Sequence, residues 1–315
     1  MVKEKVISTR DKVRVKSVEV MKKKRVMLAQ AKELFKELSD IPYAYIKGEV
    51  LSLMAYGDFG FRDYHDIDIL INRSDMKKVE NIMKRNGFEQ CVYEENGVKR
   101  ELTRREKIMM ENSHQTAPFT KRFGNNELVE IDINYDIFWS EYSGKRIAID
   151  ELLADTRILN LYDYPVKILN PIDNFIQVCL HHYKEMNAVY CFKLKNPISV
   201  VMFQDIAMLF QNQINVCLSE LIEYSKEQHI NQYIYYMLYY TNKIFPSCEI
   251  DEVLDSLYDE TVDGILDYYG LTERERRKWR MTFSERLDND DLFEKIKVEL
   301  DDEFLRKVDL ILSIL

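Results

Sequence analysis

The residues best placed to do chemistry are two aspartates, Asp66 and Asp68, in the run His65-Asp66-Ile67-Asp68-Ile69-Leu70-Ile71. Side chains alternate faces along an extended strand, so both carboxylates project from one face while Ile67, Ile69 and Ile71 enter a core. Carboxylates set that close disfavour each other's ionisation unless a cation joins them, and a hard divalent cation with oxygen ligands is the simplest candidate. Asp66 and Asp68 therefore read as metal ligands. Upstream, Lys47-Gly48 links a short apolar run to a helical stretch. Glycine lets the backbone approach a ligand closely, and the unpaired N–H groups of a helix start suit phosphate. Glu49 is an awkward charge for that purpose. A third acidic segment, Leu128-Val129-Glu130-Ile131-Asp132-Ile133-Asn134-Tyr135, alternates strictly and presents Glu130, Asp132 and Asn134 on one face. Asp132 is the expected third metal ligand and proton acceptor, with Glu130 as the alternative. Metals, a phosphate-binding turn and a carboxylate base together suit displacement at a polyphosphate by a hydroxyl.

These side chains need a scaffold of alternating elements. A helix is predicted from about Val20 to Leu38, stopped by Ser39-Asp40-Ile41-Pro42, and a strand over Tyr43 to Ile46. Glu49 to Tyr56 reads as a helix ended by Gly57, and a loop carrying Arg62 leads into the Asp66 strand. Ser74 to Asn86 reads as a helix capped by Ser74, Phe88 to Tyr93 as a strand, and Gly124-Asn125-Asn126 as the turn before the third acidic strand. Near residue 165 alternation gives way to helical periodicity, with Asn170-Pro171 a good helix start. The expected fold is α+β: residues 1–165 form a small mixed sheet with flanking helices and a basic N-terminal helix, and residues 166–315 form a mostly α-helical domain.

The chain has 315 residues and is 46% hydrophobic, with only 9 Gly and 6 Pro, which excludes extended low-complexity character. No apolar run approaches the ~20 residues of a membrane span, and the basic N-terminus is not followed by a signal-peptide core, so a cytoplasmic location is expected. Five scattered cysteines without C-x-x-C spacing fit buried, reduced thiols. The net charge of −9 conceals a basic arm: residues 1–25 hold ten Lys or Arg against three acids, 10 − 3 = +7, leaving −9 − 7 = −16 elsewhere. So acidic a body disfavours long nucleic acid as a partner. The run Lys22-Lys23-Lys24-Arg25 reads as a solvated helix face. His181 and His182, neighbours about 100° apart on a helix, read as packed or hydrogen-bonded core histidines rather than joint ligands of a metal, and Asp205 as a helix-junction residue. Thr272 and Glu275 read as a capping box, and the tyrosines from Tyr233 to Tyr240 as a packing face.

Lys47-Gly48, Tyr56, Arg62 and Asp66-x-Asp68-Ile-Leu-Ile resemble the nucleotidyltransferase fold shared by DNA polymerase beta and kanamycin nucleotidyltransferase, specifically its uncharacterised bacterial nucleotidyltransferase family. Ile131-Asp132-Ile133-Asn134 looks like that family's Asp-x-His strand, with Asn134 where histidine usually stands. Leu169-Asn170-Pro171-Ile172-Asp173, His181-His182 and Gln204-Asp205-Ile206-Ala207 are similar to its helical half. The resemblance implies transfer of a nucleoside monophosphate from a nucleoside triphosphate, ATP first, to an acceptor hydroxyl. It implies two Mg2+ ions on Asp66, Asp68 and Asp132, with Lys47, Gly48 and Arg62 on the nucleotide. The acceptor, a small molecule, peptide or protein, would lie between the domains. The rival readings are a binding or regulatory protein that has kept the fold without catalysis, and a phosphoryl transferase using the same metals.

Overall fold

The computed structural model describes residues 25–312 except 63, 65, 94–98, 112, 125–126 and 163. The basic segment through Lys24, the neighbouring Asp63 and the Asn125-Asn126 turn lie outside the described residues. The chain divides into two compact units, one of residues 25–140 with 147–174, the other of residues 141–146 with 175–312.

The first unit is built on a mixed sheet of eight strands in the order β4-β3-β5-β6-β2-β1-β8-β7. Its centre comprises β1 (Tyr43–Ile46), β2 (Asp66–Ile71) and β6 (Glu127–Asn134). β1 runs antiparallel to β2, and β2 parallel to β6. Ile67, Ile69, Leu70 and Ile71 of β2 and Val129, Ile131 and Ile133 of β6 are all fully buried. Each acidic side chain is thus held by an apolar neighbour that fixes the strand's register, because a one-residue slip would turn the isoleucines onto the acid face and drive the acids into the apolar core. β3 (Glu89–Tyr93), β4 (Lys99–Glu101) and β5 (Phe119–Phe123) extend one side of the sheet. β7 (Arg157–Leu161) and β8 (Tyr164–Ile168) form a hairpin on the other, with β8 parallel to β1.

Helix α1, described over residues 25–38, buries Met27, Leu28, Ala31, Leu34, Phe35 and Leu38, a helical-period stripe. α2 (Gly48–Tyr56) ends at Gly57, whose φ of 68° is the left-handed cap that glycine supplies. α3 (Met76–Arg85) begins after a 3-10 turn at Arg73–Asp75, so Ser74 lies inside that turn and does not cap the helix. α4 (Arg104–Glu111) and α5 (Ile149–Ala154) complete this unit.

The second unit is helical. It holds α6 (Pro171–Asn187) from Phe175 onward, α7 (Val189–Lys193), α8 (Val200–Leu209), α9 (Leu218–Glu227), α10 (Asn231–Ile244), α11 (Cys248–Leu257) and shorter C-terminal segments. Tyr236 and Tyr240 of α10 are buried and stack edgewise, as a packing face requires. Thr272 does accept from the Glu275 N–H, but the bond closes a turn and Arg277–Lys278 that follow pair as a short strand with Tyr268–Tyr269. The reciprocal capping box is at Thr282 and Glu285. Cys91, Cys179 and Cys191 are buried, whereas Cys217 is half-buried and Cys248 exposed. The α+β expectation is borne out, with more strands than the sequence declared. No described helix is long and apolar enough to cross a membrane.

Candidate active site

The acid face is set by register. In the parallel β2–β6 pair Asp66 lies opposite Glu130 and Asp68 opposite Asp132, so four carboxyls occupy one face of two adjacent strands. Lys47 enters this face from the end of β1, whose last residue Ile46 pairs with Asp68. Its Nζ donates to Asp68 Oδ1 at 2.7 Å. The chain reaches that position through two consecutive positive-φ residues, Lys47 at 56° and Gly48 at 38°. Left-handed backbone is unusual for lysine, and such strain persists where the surroundings over-determine it. At Gly48 the positive φ explains glycine, whereas a Cβ there would meet Tyr45 Oη and Tyr64 Cδ2 at 3.4 Å, an ordinary contact distance. α2 starts at this turn, and its first N–H groups have no acceptor within the helix.

The electrostatics follow from four carboxyls around one ammonium. Burial works against the Lys47 charge, but Asp68, Asp66 and Asp132 more than offset it, so its pKa lies above the ordinary value. Asp132 is pushed from 3.8 up to about 8, first by burial and then by Asp68, Asp66 and Glu130, with Lys47 opposing. Glu130 is raised by burial and by Asp66. Asp132 Oδ1 is buried with no hydrogen-bond partner. A buried acceptor left in that state is costly unless a proton or cation meets it.

Two residues take parts the sequence did not assign. Asn134, 2% exposed, donates from Nδ2 to Asp68 Oδ1 at 3.1 Å and to the Asp132 carbonyl at 3.4 Å, so it fixes the Asp68 carboxylate that Lys47 also holds. Its position two residues after Asp132, on the same strand face, is the signal that could have shown this. Glu49 is fully buried, and Tyr45 Oη donates to its Oε2. Burial, then Glu49, keeps the Tyr45 hydroxyl protonated. The carboxyl that looked awkward at a helix start is thus engaged by a buried phenol. Arg62 sits in the loop between α2 and β2, where its backbone N–H donates to Ser52 Oγ at 3.3 Å.

In the helical unit His182 is buried and hydrogen-bonded to Glu185, as the sequence reading expects of a core histidine. His181 and His182 of α6 diverge, yet Glu185, one turn on, meets both: its carboxylate lies 3.4 Å from His181 Nε2 and 3.1 Å from His182 Nδ1. Helix spacings of three and four place both histidines beside Glu185, which the angle between the two histidines alone does not reveal.

The chain belongs to a family of uncharacterised nucleotidyltransferases, whose sequence model matches residues 3–246. Among solved structures it is similar to an antigenic nucleotidyltransferase-like protein from Paracoccidioides brasiliensis, at 14% identity and a TM-score of 0.34, over 59% of this chain and 75% of that one. No relative was found among curated proteins.

Proposed function

We propose that the protein transfers a nucleoside monophosphate from a nucleoside triphosphate, ATP being the first to test, to a hydroxyl of a small molecule, peptide or protein. The observation that carries this reading is the parallel register that sets Asp66 and Asp68 beside Glu130 and Asp132 with Lys47 on Asp68. Four oxygen-bearing acids, one with a buried unpartnered oxygen, suit a hard divalent cation such as Mg2+. Asp66, Asp68 and Asp132 would hold it, and when bound it would neutralise charge on the triphosphate and the departing pyrophosphate. The chain's own groups do the remainder. Lys47 and the N–H groups at Gly48 bind phosphate oxygens, and Arg62 is assigned to the same ligand. The acceptor oxygen attacks the α-phosphorus, the α–β anhydride bond breaks, pyrophosphate leaves, and the hydroxyl proton passes to Asp132. The superfamily placement beside DNA polymerase beta and kanamycin nucleotidyltransferase, a bacterial origin and a cytoplasmic setting belong to the same proposal.

Thermal unfolding with each nucleoside triphosphate, with and without Mg2+, tests the site, because a ligand of the folded state raises its stability. Stabilisation should need both nucleotide and Mg2+ and vanish in Asp66→Asn/Asp68→Asn. A folded double variant that still responds would sink the assignment. In acceptor screens, product mass then distinguishes an added nucleoside monophosphate from the single phosphate a phosphoryl transferase would add.

A further inference from the structure

The cluster on α6 is separate from the acid face in sequence and carries chemistry the proposed reaction does not use. His181 Nε2, His182 Nδ1 and a Glu185 carboxylate oxygen all lie within 4.8 Å of one another. We propose that these three side chains bind a transition-metal ion of the Zn2+ class within the helical unit, with Asp205 as the carboxylate that orients His182.

Bonds of 2.0–2.2 Å to imidazole nitrogen and carboxylate oxygen imply ligand–ligand edges of roughly 3.3 Å in a tetrahedron. The observed separations, 3.4 Å from His181 Nε2 to Glu185 Oε1 and 3.1 Å from His182 Nδ1 to Glu185 Oε2, are close to that length, and one Glu185 oxygen lies within 4.8 Å of both nitrogens. Two imidazoles and one carboxylate from a single chain leave a fourth position for water, the donor set of many zinc sites. Side-chain exposure of 24% at His181 and 25% at Glu185 gives the ion a path from solvent.

The second observation is on the far side of His182. Its Nε2 faces Asp205 Oδ2 at 3.5 Å, and Asp205 on α8 is fully buried. His182 is itself 3% exposed and therefore sits between two carboxylates. A neutral imidazole carries one N–H, so it can donate toward only one of them and would turn its lone pair on the other. With Nε2–H directed to Asp205, the lone pair on Nδ1 faces the Glu185 side, where a cation belongs. A ligating histidine that gives its other N–H to a carboxylate is the usual outer-sphere arrangement of such metals. Charge agrees as well. Two carboxylates with neutral imidazoles sum to −2, which one divalent ion cancels.

The test uses the full chain carrying Asp66→Asn/Asp68→Asn/Asp132→Asn, so that the acid face does not contribute. After chelator treatment, Zn2+ binding is measured by competition with a chromophoric chelator, and Co2+ is added as an absorbing substitute. One Zn2+ per chain should bind, and Co2+ should give the visible bands of a low-coordinate nitrogen–oxygen site. His181→Gln and Glu185→Gln, at partly exposed positions, should keep the helical circular dichroism and each weaken binding by at least ~100-fold; Asp205→Asn should weaken it by ~10–100-fold. No Zn2+ bound, or binding unchanged in folded His181→Gln, overturns the proposal. The readout is metal affinity and needs no nucleotide, so its failure is distinct from failure of the transferase reading.

Discussion

Asp132 gives the sharpest test of the acid face, because its electrostatic position predicts that the residue proposed as the proton acceptor costs stability. The folded chain holds the Asp132 proton up to about pH 8, whereas the unfolded chain loses it near 3.8. Between those values the folded state binds more protons than the unfolded state, so unfolding releases a proton and stability falls as pH rises through the window. The full separation of roughly four pH units, at about 1.4 kcal/mol each, gives a ceiling of about 6 kcal/mol above pH 8 and about 4 kcal/mol at pH 7. Solvent reaches part of this carboxyl and screens it, which brings the expected penalty to about 2 kcal/mol at pH 7 and below about 1 kcal/mol at pH 5. Asp132→Asn removes the ionisation while keeping the shape, and the amide can donate to the neighbouring carboxylates. In the presence of a chelator, the variant should therefore be more stable than the native chain by about 2 kcal/mol at pH 7, with the gain shrinking by more than half at pH 5. Urea unfolding of both proteins at the two pH values, followed by a probe in the sheet unit, measures this directly. A variant equal to or weaker than the native chain at pH 7, or a gain that does not shrink at pH 5, would refute the assignment of Asp132 as a buried, repelled carboxyl.

Other substitutions probe the scaffold around it. Gly48→Ala puts a side chain on a backbone at φ 38°, and that strain should cost about 1–3 kcal/mol in urea unfolding. Asn134→Ala removes a donor that Asp68 shares with Lys47 and should cost about 1–2 kcal/mol without altering the helical unit. Glu49→Ala leaves the buried Tyr45 hydroxyl without its acceptor and should cost about 1–3 kcal/mol, whereas Glu49→Gln, which keeps an acceptor oxygen, should cost clearly less. In the helical unit Arg286 is fully buried over the Tyr240, Trp279 and Phe283 rings and one Nη donates to the largely exposed Asp267, so Arg286→Ala should cost about 2–5 kcal/mol, mainly through lost packing, and Arg286→Lys should not restore it because lysine lacks the flat guanidinium that covers the rings.

The central strands were legible because their chemistry is local. Strict alternation fixed the faces of β2 and β6, and Gly57 marked the end of α2 through its backbone freedom alone. The β7–β8 hairpin was not legible: Arg157 to Ile168 mixes polar and apolar residues at a sheet edge, where one strand is partly exposed and alternation is weak. The pairing of Asp66 with Glu130 and Asp68 with Asp132 could not be read either, since register between strands about 64 residues apart depends on how the isoleucines of both pack. Glu49 and Asn134 looked like departures from a phosphate turn and an acid strand. Their roles depend on Tyr45, which precedes the turn, and Asp68, on the neighbouring strand.

The acid face also explains why Lys47 accepts a strained backbone. Four carboxylates and one ammonium on this face sum to 1 − 4 = −3, and the proton that Asp132 retains below about pH 8 reduces this only to −2. Lys47 reaches Asp68 because the φ of 56° turns the chain back at the end of β1. The same turn starts α2, so the strain that delivers a compensating charge to the acids also sets the helix start that the proposed function assigns to phosphate. A divalent cation on the remaining −2 would release the Asp132 proton and leave Lys47 able to exchange Asp68 for a phosphate oxygen. Nucleotide and metal should therefore bind with positive coupling, and Lys47→Met, which leaves the acids less compensated, should tighten Mg2+ binding without nucleotide while weakening the nucleotide-dependent part. Isothermal titration of Mg2+ into native and Lys47→Met protein, with and without a non-hydrolysable triphosphate, separates the two: equal Mg2+ affinity in both proteins without nucleotide would show that Lys47 does not compete for Asp68.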